Sequence, residues 1–62
     1  MITFVNVFLM TEFPWIGIDR GDDMRSYTLT KSSLARLVLA LKELPGYFNI
    51  DNVGWTWTRE DK

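Results

Sequence analysis

Sixty-two residues allow a single domain, and a chain this short buries only about 60% of the surface its unfolded form exposes. With no His and no Cys, disulfides, the common small-domain zinc sites and the usual general base near neutral pH are all excluded, so neither an enzyme nor a cofactor is expected. Lys+Arg 7 against Asp+Glu 8 gives a net charge of −1, which is neither the basic balance of a nucleic-acid or membrane binder nor the acidity of a nucleic-acid mimic.

What the chain has instead is apolar bulk. The hydrophobic fraction is 47% and includes three Trp, two Tyr and four Phe. That places it among globular domains. Near-neutrality leaves little repulsion between copies and permits a homodimer.

The first ten residues are apolar but contain Thr3 and Asn6. They lack a basic leader region and a small-residue cleavage site, and are about half the length needed to span a bilayer. A cytoplasmic protein without membrane contact is therefore expected. The initial Met and the absence of a tag suggest a complete small reading frame. Residues 2–11 read as a long strand, with Ile2, Phe4, Asn6, Phe8 and Met10 on one face and Val5, Val7 and Leu9 on the other. A strand apolar on both faces is central in its sheet or covered on its second side.

After Pro14, residues 15–18 read as a short second strand. Residues 19–23, Asp-Arg-Gly-Asp-Asp, have the chemistry of a turn. Residues 25–29 resume an extended pattern. Thr30 is then a good helix N-cap, with Leu29 and Leu34 at the two positions of a hydrophobic staple. The spacing predicts a helix over 31–44, ended by Pro45 and Gly46. At 100° per residue Leu34, Leu37, Val38, Leu41 and Leu44 share the core face, while Arg36 and Glu43 lie opposite. Leu39 projects well off that stripe, beside Ala35. Residues 47–52 read as a mixed connection. Residues 53–59 alternate, with Val53, Trp55, Trp57 and Arg59 on one face. The tail, residues 60–62, is expected to fray.

The order β-β-β-α-β predicts one α+β domain over residues 1–62. It would be two layers, with an antiparallel-rich sheet of three to four strands packed on one amphipathic helix. The last strand should return beside the first.

Few constellations point to chemistry. Asp19, Asp22 and Asp23 do not have calcium-loop spacing, and Arg20 and Arg25 neutralise them, so a solvated turn accounts for them. Ser32 and Ser33 have no His to activate them and suit a helix start. No metal site is expected. Trp55 and Trp57 suit a small-domain core, with a base-stacking platform or an interface as the other uses of such a pair. Only Arg59 accompanies them, which is little to track phosphates.

Leu39 with Ala35, added to the second apolar face of the first strand, leaves more apolar surface than one helix covers. Such surface marks a protein interface. The candidate partner-binding residues are therefore Ala35, Arg36 and Leu39, with the Asp22/Asp23 turn as a second surface suited to a basic partner. In size and architecture the chain resembles in kind the small inhibitors of bacteriophages and mobile elements, which block a host enzyme or defence complex. That resemblance implies a non-enzymatic inhibitor or adaptor acting on a protein partner in the host cytoplasm. The alternative is single-stranded nucleic-acid binding on a face of Trp55, Trp57 and Arg59.

Overall fold

The computed structural model describes residues 1–10 and 12–60. Five strands and one helix follow in the order β1 (Phe4–Phe8), β2 (Trp15–Asp19), β3 (Met24–Thr28), α1 (Lys31–Lys42), β4 (Gly46–Ile50) and β5 (Gly54–Arg59). They form one sheet with strand order β3-β2-β1-β5-β4, and every neighbouring pair is antiparallel. The first strand is central and the last returns beside it, as its two apolar faces predict. The first strand is shorter than residues 2–11, although Thr3 and Leu9 still bond to flanking strands, Thr3 N–H to the Asp19 carbonyl and Leu9 N–H to the Val53 carbonyl.

Two expectations need correction. The sheet has five strands rather than three to four, because residues 46–50 form an edge strand and not a mixed connection. The order is therefore β-β-β-α-β-β. Phe48 and Ile50 alternate with Tyr47 and Asn49 over too few residues to stand out. A carboxylate turn nevertheless folds this segment back: Asp51 Oδ1 accepts from Val53 N–H and Gly54 N–H, both at 2.9 Å. The helix also ends at Lys42, not at residue 44. Glu43 N–H and Leu44 N–H reach back three residues, to Ala40 and Leu41, and tighten the last turn before Pro45. At the other end the Thr30 hydroxyl accepts from Ser33 N–H at 3.2 Å, the expected N-cap. At the tail, Glu60 N–H donates to the Pro45 carbonyl at 2.9 Å. Residues 61–62, part of the tail expected to fray, lie outside the described residues, as does Thr11 at the end of the expected first strand.

The alternating pleat sorts the sheet into two faces. One carries the cross-strand rows Tyr27–Ile16–Val7–Trp55–Ile50 and Arg25–Ile18–Val5–Trp57–Phe48. Here Val5, Val7, Ile16 and Trp57 join Leu41 of the helix in the buried core. Leu34, Leu37 and Ile18 pack around them. The strand directions make β3 and β4 parallel and place them at opposite edges. The helix must therefore return from the end of one to the start of the other, diagonally across the whole sheet. Twelve residues give about 18 Å of helix, against roughly 19 Å across five strands. One helix of that length covers the centre and leaves the edges of this face in contact with solvent.

Two glycines are needed where they stand. Gly21 has φ 101° in the β2–β3 turn, a conformation costly for other residues. Gly54 lies against β1 so closely that a Cβ would meet the Val7 carbonyl oxygen and come 2.9 Å from its carbon.

Candidate interaction surface

Among the described residues no helix or second sheet covers the other face of the sheet. Its rows are Thr28–Trp15–Phe8–Gly54, Ser26–Gly17–Asn6–Thr56–Asn49 and Met24–Asp19–Phe4–Thr58–Tyr47. Trp15 (40% exposed), Phe8, Met24 and Tyr47 are all exposed large side chains, and Phe4 is half-buried. They surround a polar middle row of Asn and hydroxyl side chains. Trp15 lies along its own strand over Gly17, with Cη2 3.3 Å from where a Gly17 Cβ would sit. This puts one indole face on the sheet and buries Gly17, which has no side chain of its own to fill the space. The result is an open surface with exposed aromatic side chains on either side of a polar middle row, and aromatic residues are among the types enriched in protein contacts.

The only charged residue in those three rows is Asp19. One of its carboxylate oxygens accepts from Gly21 N–H at 2.8 Å, within the turn. These rows therefore contribute no cation to neutralise a phosphate backbone.

The residues singled out from sequence fall on three separate parts of the molecule. Ala35, Arg36 and Leu39 are exposed on the outer side of the helix, Leu39 by 63%. Asp22 and Asp23 are exposed in the β2–β3 turn. Asp23 Oδ2 accepts from Arg25 Nε at 2.9 Å, and Arg20 N–H closes the turn on the Asp23 carbonyl. No hydrogen bond or ion pair among the described residues joins the turn to the helix.

Trp55, Trp57 and Arg59 share a face, as the alternation predicts, but it is the face under the helix. Trp57 has no exposed surface and Trp55 is half-buried, in edge contact with Phe48 at 5.3 Å. Arg59 Nε donates to the Ile2 carbonyl at 2.7 Å, and its guanidinium carbon lies 5.7 Å from the centre of the Trp57 ring. Trp57 therefore lies in the core, and Trp55 packs against it from the half-buried margin of the same face. The Trp57 indole N–H is buried without a hydrogen-bond partner among the described residues, which costs about 1–3 kcal/mol.

Trp15 of the open face was visible in the sequence as a strand residue, but not its exposure, which depends on sheet order. Phe8 and Tyr47 had no distinguishing signal. Among the described residues there is no cavity, no group of three or more acidic, His or Cys side chains that could hold a metal ion, and no helix long and apolar enough to cross a membrane. Comparison with protein-family models, with curated proteins and with solved structures finds no match to this chain.

Proposed function

We propose that this chain is a small non-enzymatic protein-binding module, an inhibitor or adaptor, and that its partner docks on the open face of the sheet. The observation that carries this reading is the set of exposed aromatic residues on that face, Trp15, Phe8 and Tyr47, in strand rows that hold no cation. Exposed aromatic side chains of that kind suit the buried anchors of a protein interface. The helix surface of Ala35, Arg36 and Leu39 offers a single large apolar side chain. It and the Asp22/Asp23 turn are secondary contact regions in this reading. A host enzyme or defence complex of a bacterium is the class of target suggested by the size and architecture of the chain, and the host cytoplasm is then the place of action.

The test is a paired capture experiment from bacterial lysate, with and without nuclease. One column carries the unmodified chain and the other a Trp15→Ser/Tyr47→Ser variant. The proposal predicts one stoichiometric protein that survives nuclease and is lost from the variant column. Recovery that vanishes with nuclease would overturn it in favour of nucleic acid. A protein retained equally by both columns would move the docking surface to the helix or the acidic turn.

A further inference from the structure

The β4 edge is a second, different surface, at one end of the sheet. The antiparallel ladder between β4 and β5 is fixed at both ends, where Asp51 N–H donates to the Gly54 carbonyl at 3.0 Å and Glu60 N–H to the Pro45 carbonyl at 2.9 Å. Hydrogen-bonded and non-bonded pairs alternate along such a ladder. Tyr47 and Asn49 therefore bond inward to β5, and the N–H and C=O groups of Gly46, Phe48 and Ile50 point outward. Among the described residues no strand pairs with that edge.

Soluble proteins usually guard an exposed edge with charge, proline or a bulge. The opposite edge, β3, is guarded by Arg25 at its second position and by Asp22 and Asp23 just before it. β4 itself reads Gly-Tyr-Phe-Asn-Ile and has no charge and no proline within it, Pro45 and Asp51 standing just outside its two ends. Ile50 is 80% exposed, and Phe48, Tyr47 and Leu44 beside it are exposed too.

We infer that β4 pairs antiparallel with β4 of a second copy, about a twofold axis through Phe48. The segment is self-complementary in that register. Phe48 faces the partner's Phe48, and Gly46 and Ile50 exchange places across the axis. All three outward residues then form bonded pairs, which satisfies both backbone groups of each. The exposed Ile50 side chain falls opposite Gly46, beside the Trp57 ring that fills the place of a Cβ there. The two five-stranded sheets become one continuous sheet of ten.

The exposed area leaves room for such a contact. The chain exposes 4638 Å², whereas a 7.3-kDa monomer is expected to expose about 4,160 Å². The excess, about 470 Å², is more than half of the roughly 800 Å² that each partner contributes to a standard interface. The near-neutral net charge of −1 opposes this association only weakly. The open sheet face remains free in such a dimer, so the association can be read on the purified chain, independently of any foreign partner.

The experiment is sedimentation equilibrium of the purified chain over a concentration series, together with amide hydrogen exchange followed residue by residue. A mass twice that of the monomer is expected at high concentration. The amides of Gly46, Phe48 and Ile50 should then be protected, and lose that protection on dilution. Ile50→Lys should give a monomer with unchanged circular dichroism, because its side chain is exposed. Ile50→Pro removes an N–H that β5 does not use and should do the same. A chain that stays monomeric at every soluble concentration overturns the inference. So does a dimer in which those three amides exchange freely, or one that survives Ile50→Lys. The exchange data on the unmodified chain decide the matter even where a variant fails to fold.

Discussion

Replacing Leu41 by alanine tests the packing that holds the two layers together. Leu41 is the one helix side chain in the buried core, 1% exposed, beside Val5, Val7, Ile16 and Trp57. Truncating a leucine so enclosed removes its transfer free energy and leaves a cavity, a loss of about 3 kcal/mol. A 62-residue chain has a total stability on the order of 3–9 kcal/mol, so the variant is near the limit of folding. The paired control is Leu39→Ala, two residues away and 63% exposed, which should change stability by no more than about 0.5 kcal/mol. Urea unfolding followed by tryptophan fluorescence reads both. With a slope of about 1 kcal/mol per molar, Leu41→Ala should lower the midpoint by about 3 M and Leu39→Ala should barely move it. Equal losses for the two variants, or a shift below about 1 M for Leu41→Ala, would refute the helix phase and the core built on it.

Other substitutions probe local devices. Thr30→Ala removes the hydroxyl that accepts from Ser33 N–H and should cost about 1 kcal/mol in the same unfolding assay. Gly54→Ala drives a Cβ into the Val7 carbonyl. It should destabilise the β1–β5 pairing more than Thr30→Ala does, with loss of exchange protection centred on Val7 and Trp55. Gly17→Ala pushes on the Trp15 ring, 3.3 Å away on the outer face, and should shift tryptophan emission with little change in midpoint. Acrylamide should quench Trp15 most readily and Trp57 least, which single-tryptophan variants would show.

The helix was the most legible part of the sequence. Thr30 and the stripe of Leu34, Leu37 and Leu41 are local signals, whereas Leu44, expected on the same stripe, lies past the end of the helix and is exposed. The centrality of β1 was legible because Val5 and Val7 on one side and Phe4 and Phe8 on the other are both apolar. Which side the helix covers was not, since that follows from where the chain crosses the sheet. The β4 strand was hidden because Gly46 and Asn49 are poor strand formers. They are tolerated because the Asp51 turn and the β5 ladder impose the pairing. Gly46 in particular has no room for a side chain: a Cβ there would come 2.5 Å from Trp57 Cε2 and 2.6 Å from the Thr58 carbonyl oxygen. The Trp55/Trp57 face was found as a face, but its role depended on sheet order. The β1–β5 register puts Trp57 across from Val5 and Trp55 across from Val7, which sets both on the helix-covered face. The same order sends Trp15 to the opposite side, where the candidate surface lies.

Hydroxyl-radical footprinting of the chain, free and in complex with the protein it captures, tests the docking surface most directly. The account predicts protection at Trp15, Phe8, Met24 and Tyr47 on complex formation, with Leu39 labelled as strongly as in the free chain. Protection confined to Leu39 and its helix neighbours, with Trp15 and Tyr47 still labelled, would contradict it.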